Sequence, residues 1–347
     1  MDLEFYRGKR VLVTGHTGFK GAWLTAILAC AGAQTLGYAL PPEDPSLFRL
    51  AGLETALTHV VGDVRDAARL REVFSSFAPE LVFHLAAQPL VREGYRNPLY
   101  TFETNVMGTA NVLEAIRHTP SVRSAVIVTT DKVYRNNEQA RGYREDDVLD
   151  GFDPYSSSKA CAELVTASCR RSFPGLPPIS TARAGNVLGG GDFAKDRILP
   201  DCVRAAARGE HILVRNPGSV RPYQHVLEPL FAYLLIAERQ YAEPLLAGSY
   251  NVGPADRDCL STGELAALFC ELWGEGAAWR TAADPNAPHE AGCLRLDCGK
   301  IRAALGWRPR WDIRQCMALT VRLEKLRLAG GGVRAELDRQ IGEYLRP

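Results

Sequence analysis

The sequence lacks a charge bias. Its 347 residues carry 41 Lys and Arg against 40 Asp and Glu, a formal net charge of +1. No long run of either sign stands out, so no partnership with nucleic acid or an acidic membrane surface is expected. No apolar stretch approaches the roughly 20 residues needed to cross a bilayer. The opening MDLEFYRGKRVLVTG passes into a strand without the apolar centre of a signal peptide. None of the nine cysteines forms C-x-x-C, and Cys293 and Cys298 have no histidine partners at zinc-site spacing. Neither a metal centre nor a disulfide framework is therefore expected. The cysteines read as small core residues of a cytoplasmic protein.

What is present is alternation. Lys9 to Thr14, about Thr35 to Ala39, Thr58 to Val61, Leu81 to Ala86, Ser124 to Thr129 and Ile179 to Ala184 are short apolar runs rich in β-branched residues. Between them lie stretches of helical period, such as Trp23, Leu24, Ile27 and Leu28. Strand and helix taking turns predicts an α/β fold with a doubly wound parallel sheet. After Gly189 the pattern loosens into helices separated by Pro- and Gly-containing loops. We therefore expect a sheet domain over 1–188, to which 223–253 returns. A smaller, mixed α/β C-terminal domain, 189–347, would be mainly substrate-binding.

The first strand runs into Gly15-His16-Thr17-Gly18-Phe19-Lys20-Gly21, and a helix follows at once. Glycines at this G-x-x-G-x-x-G spacing let the backbone turn sharply and approach a pyrophosphate, whose charge the helix N-terminus then holds. In this strand–turn–helix setting the loop reads as the dinucleotide site of a Rossmann fold. Gly15, Thr17, Gly18, Phe19 and Gly21 are its candidate cofactor contacts. Asp63 and Val64 end the third strand, where a carboxylate can accept from an adenine amino group. Leu85, Ala86 and Ala87 end the fourth with small residues that leave room for a cofactor. The second strand, LGYAL, carries no acid at its end for the ribose hydroxyls. The residues thus leave NAD and NADP both open.

Asp153-Pro154-Tyr155-Ser156-Ser157-Ser158-Lys159 opens a helix, with Asp153 as N-cap and Pro154 in the first turn. Tyr155 and Lys159, four apart, share a face. A neighbouring ammonium lowers a phenol's pKa, so the pair can take a hydroxyl proton while hydride leaves the same carbon. A second pair stands in VTTDK, where a buried strand finishes on Thr129-Thr130 and sets Asp131 beside Lys132. That is an acid and an amine at a strand end.

GHTGFKG, TTDK, GYRE at Gly142 to Glu145, DPYSSSK and RPYQHVLEP at Arg221 to Pro229 together resemble the extended short-chain dehydrogenase/reductase family. Within it they are most similar to the nucleotide-sugar 4,6-dehydratases, and more narrowly to the CDP-glucose group. The resemblance runs from Gly8 to about Trp311. It implies an NAD-dependent lyase that oxidises C4 of a bound glucose, removes water across C5 and C6, and returns hydride to C6. By resemblance Thr130 positions the C4 hydroxyl, Asp131 is the acid for the C6 hydroxyl, Lys132 the base for C5, and Tyr155 with Lys159 the oxidising pair. Lysine acts as a base only when partly neutral, and Asp131 next door opposes that.

The substrate pyrophosphate needs donors of its own. Arg183 and Asn186 leave the sixth strand, and Asn186 resembles the family's pyrophosphate contact. Gln88, Arg221, His225 and His289 complete the candidate substrate residues. Nothing in the residues reads cytosine, so a dTDP-, GDP- or UDP-linked glucose stays open. A C4 epimerase and a non-catalytic NAD-binding regulator are the further alternatives. Pro98 to Arg117 and Pro154 to Phe173 resemble the family's paired dimer helices, with Val106, Leu113, Leu164 and Val165 as apolar positions. A homodimer is expected, with a homotetramer open.

Overall fold

The computed structural model describes residues 3–139, 141–282 and 292–346. Seven parallel strands form one sheet: β1 (Arg10–Thr14), β2 (Gln34–Ala39), β3 (Thr58–Val61), β4 (Leu81–His84), β5 (Ser124–Val128), β6 (Ile179–Ala184) and β7 (Ser249–Val252). Their spatial order is β7-β6-β5-β4-β1-β2-β3. The order reverses between β1 and β4, so a crevice opens there beyond the carboxyl ends of the strands. The expected doubly wound α/β class holds.

Successive β1 residues feed opposite faces of the sheet. Val11 and Val13 enter one core cluster with Trp23, Leu24 and Ile27 of α1 (Phe19–Cys30), while Leu12 enters the other with Val82 and Ile127. Burial on both faces is why the strands read as unbroken apolar runs rather than as alternating ones. The second face is covered by α2 (Ala67–Phe77) and α3 (Gly108–Arg117). A helical stretch from Pro98 leads into α3 through a π turn at Glu103–Met107.

Helix α4 (Pro154–Ser172) starts as its sequence dictates: the Ser156 N–H donates to Asp153 Oδ1 at 3.0 Å, and Pro154 occupies the first turn. Beyond β6 come α5 (Ile198–Ala207), α6 (Leu227–Ala242), α7 (Thr262–Trp273), α8 (Gly299–Leu305), α9 (Ile313–Leu328) and α10 (Val333–Leu345). Three two-stranded pairs tie this region together. Val187–Leu188 runs with Gln224–His225, Val220–Pro222 with Cys259–Ser261, and Ile212–Val214 with Trp279–Thr281. Helix α6 lies against β5 and α10 against α1. The C-terminal half therefore packs on the sheet through α6 and on α1 through α10.

Candidate active site

The glycine loop is shaped by steric need. Gly15 has φ +76°, and a Cβ there would stand 2.7 Å from the Ala86 nitrogen. At Gly21 a Cβ would lie 2.1 Å from the Gly15 carbonyl oxygen. Gly18 caps α1 and meets nothing closer than 3.5 Å, which leaves an open flank at the helix N-terminus. The N–H groups of the first helical turn lack intrahelical partners by geometry and face an anion there. This cradle fits a dinucleotide pyrophosphate. Thr17 Oγ1 donates to the Leu40 carbonyl at 3.1 Å and braces the loop to the end of β2.

The rest of the expected cofactor wall is in place beside it. Thr14 Oγ1 lies 2.7 Å from His84 Nδ1 and accepts from the Ala86 N–H at 3.3 Å, which fixes the segment Leu85-Ala86-Ala87 against β1. Asp63 is already engaged: Arg65 donates to its carboxylate through Nη2 at 2.7 Å and through its backbone N–H at 2.9 Å. Partial burial opposes the charge of Asp63, but these hydrogen bonds win and hold its pKa below the ordinary value. Val64 is buried and packs against Gly108.

One cleft brings Thr130, Asp131, Lys132 and Tyr155 together with Asn186 and Arg221. Thr130 continues β5 in extended conformation, and its hydroxyl donates to Asp131 Oδ1 at 3.0 Å. Asp131 is 1 % exposed, and burial raises its pKa although the Lys132 charge pulls the other way. Its Oδ2 is buried with no hydrogen-bond partner among the described residues. A carboxyl in this state favours the protonated form and holds one oxygen ready for a ligand.

Tyr155 departs from expectation. Burial pushes its phenol up to about 12, against the smaller lowering effect of its hydrogen bond with Thr130. Lys159 donates its Nζ proton to the Val128 carbonyl at 3.0 Å, and burial brings it down to about 8. In the protein alone desolvation outweighs the lowering by the Thr130 hydrogen bond and the Arg197 charge.

Three expected substrate residues lie elsewhere. Arg183 is buried beneath the cleft floor, donating to Glu163 Oε2 at 2.9 Å and to the Tyr134 hydroxyl at 2.8 Å. It sits on β6, a strand buried along its whole length, so its charge found a carboxylate inside the fold rather than a ligand. His225 is fully buried between Trp23 and Trp311, and its Nδ1 accepts from the Leu227 N–H at 3.3 Å. Gln88 is buried as well, donating to Thr101 Oγ1 at 2.9 Å and accepting from the Leu90 N–H at 2.6 Å. It shapes the loop that carries Pro89 and Leu90 to the cleft wall. His289 lies outside the described residues.

The sequence reading missed four cations at the cleft, Lys20, Arg92, Arg197 and Arg215. Lys20 reaches it from inside the glycine motif, and burial brings its pKa down to about 7, with Arg197 and Lys159 adding to the effect. Its position in GHTGFKG was the available signal, hidden by attention to the glycines. Arg197, N-cap of α5, also lines the cleft and pairs with Asp192 at 2.9 Å. His16, the first variable residue of the motif, turns inward instead, with Nε2 2.6 Å from His59 Nδ1.

Residues 12–320 match the family model described as GDP-mannose 4,6 dehydratase. The chain belongs to the nucleotide-sugar 4,6-dehydratase family. A CDP-glucose 4,6-dehydratase of Salmonella typhimurium is 43 % identical across 99 % of this chain and 98 % of its own length. Among solved structures, a dTDP-glucose 4,6-dehydratase of Streptomyces venezuelae with NAD and TYD bound has a TM-score of 0.80 at 24 % identity, covering 93 % of this chain and 98 % of its own. A UDP-glucose 4-epimerase of Thermus thermophilus in complex with NAD also scores 0.80, at 25 % identity over 91 % and 99 %. The fold alone thus does not separate dehydratase from epimerase within this superfamily. The site has to.

Proposed function

We propose that this protein is an NAD-dependent CDP-glucose 4,6-dehydratase, converting CDP-D-glucose to CDP-4-keto-6-deoxy-D-glucose and water. One observation carries the reading: the cleft that holds Tyr155 also holds an acid and an amine, Asp131 and Lys132, which C4 oxidation and reduction alone do not use. The nucleotide is taken from the 43 % identical Salmonella relative.

When bound, NAD accepts hydride from C4 and later supplies it to C6. Tyr155 takes the C4 hydroxyl proton, Thr130 positions that hydroxyl, and the Lys159 ammonium supports the negative charge forming on the phenol. The C4 ketone acidifies the C5 proton, which Lys132 removes. Asp131, whose pKa burial raises, delivers a proton to the departing C6 hydroxyl. Asn186 and Arg221 hold the substrate pyrophosphate. The extended helix from Pro98 and α4 leave Leu99, Met107 and Leu164 exposed at 77 %, 55 % and 55 %. A strip of that kind supports a homodimer, and Leu164→Glu is expected to yield monomer by light scattering.

The test is mass spectrometry of the protein with NAD and, separately, CDP-, dTDP-, GDP- and UDP-glucose. Loss of one water from CDP-glucose alone is expected. Loss from another member keeps the reaction and changes the nucleotide, whereas C4 inversion without loss of water supports an epimerase.

A further inference from the structure

Beneath the cleft lies a buried charge pair with no part in the chemistry above. Glu163 and Arg183 are 2 % and 3 % exposed at their side chains and meet at 2.9 Å. Glu163 stands four residues beyond Lys159 on α4, hence one turn along the same face. Its Oε1 accepts from the Thr129 hydroxyl at 2.5 Å, and its Oε2 from the Thr181 hydroxyl at 2.7 Å. Thr129 immediately precedes Thr130 and Asp131. One carboxylate therefore joins the helix of Tyr155 and Lys159 to the strand end that carries the acid.

Arg183 extends the clamp. Besides Glu163 it reaches the Tyr134 hydroxyl at 2.8 Å and the Glu145 carbonyl at 3.0 Å. The Tyr134 hydroxyl in turn donates to Asn251 Oδ1 at 2.6 Å on β7. Three charged or titratable groups act on Lys159, Glu163 on its own helix, Lys20 from α1 and His84 from β4, and Tyr155 stands one turn back on the same helix. His84 is held neutral by burial, its pKa brought down to about 3, and Lys20 is cationic or neutral. Among the described residues, Glu163 is the acid that favours the Lys159 ammonium.

We propose that Glu163 is a positioning residue for the reaction, clamping α4 to the Thr129–Thr130 strand end and keeping a negative charge one turn from Lys159 so that it stays an ammonium. The use of that ammonium rests on the dehydratase reading, but the charge effect is measurable without turnover.

The experiment follows the Lys159 Cε resonance by NMR during pH titration of ¹³C-lysine-labelled full-length protein. The chain has seven lysines, and Lys159→Arg assigns the signal. Wild type, Glu163→Gln and the double variant Glu163→Gln/Arg183→Met are compared. Removing the negative charge lowers the Lys159 midpoint by about one pH unit in Glu163→Gln, a tenfold fall in the ammonium-to-amine ratio, and by a smaller amount in the double variant, which also loses the Arg183 cation. In turnover, the alkaline limb of each variant's kcat profile moves down with its Lys159 midpoint. If Glu163→Gln fails to fold because Arg183 is left buried and unpaired, the double variant removes both charges and carries the test. A midpoint unchanged in either folded variant overturns the proposal, because a purely structural clamp does not move it. A shifted midpoint in a protein that turns over no nucleotide sugar, wild type included, supports the proposal and contradicts the dehydratase reading alone.

Discussion

The glycine loop and the catalytic floor meet at one crevice, yet they are held by different physics. The loop is a matter of space: Gly15 and Gly21 abut backbone atoms so closely that a single Cβ does not fit. The floor is a matter of charge. Asp131, Tyr155 and Lys159 are all pushed by burial toward their neutral forms, and hydrogen bonds or nearby charges push back. A steric rule can be read from residue types in order. A balance of desolvation against neighbours needs three dimensions.

The largest effect expected on the floor comes from Tyr155→Phe. It keeps the buried ring and removes the proton acceptor, so kcat is expected to fall by about 10²–10⁴ with the melting temperature unchanged. In the loop, Gly21→Val fails in the opposite way. Its Cβ meets the Gly15 carbonyl oxygen at 2.1 Å, and that backbone cannot yield cheaply. Loss of NAD binding in a cofactor titration is expected, with about 3 kcal/mol of stability lost, the upper end of the usual overpacking cost. A Gly21→Val protein that binds NAD normally would break the distinction between the two regions.

The same contrast explains what the sequence disclosed. The strands, the capped start of α4, the glycine loop and the shared cleft of Thr130, Asp131, Lys132 and Tyr155 were legible because periodicity, capping and backbone geometry leave marks at fixed spacings. Arg183 was misplaced because a cation on a buried strand reads the same whether it meets a ligand or Glu163, twenty residues earlier. Lys20 was missed because nothing in GHTGFKG says that its fourth variable position reaches the cleft. The high pKa of Tyr155 was likewise hidden, since one-turn spacing to Lys159 says nothing of how deeply the phenol is buried.

A smaller effect sharpens the comparison away from the crevice. Glu228 accepts from the N–H groups of Arg310 and Trp311 at 3.0 and 2.9 Å and from the Tyr344 hydroxyl at 2.7 Å. Burial still lifts its pKa from 4.5 to about 6. An acid raised on folding favours the fold while protonated, and that advantage is lost as pH climbs from about 4.5 to 6. Glu228→Gln keeps the shape without the charge. It is expected to gain up to about 2 kcal/mol at pH 8 in denaturant unfolding and little at pH 4. No gain at pH 8 would mean that the three hydrogen bonds offset the desolvation.

The division of labour between Tyr155 and Lys132 is tested most directly by a single turnover of Lys132→Ala with NAD and CDP-glucose, followed at once by nicotinamide absorbance and by mass. The expected result is accumulation of reduced nicotinamide with no loss of water, because C4 oxidation survives while the C5 proton stays in place. Loss of water at the wild-type rate would contradict it and remove Lys132 from the reaction.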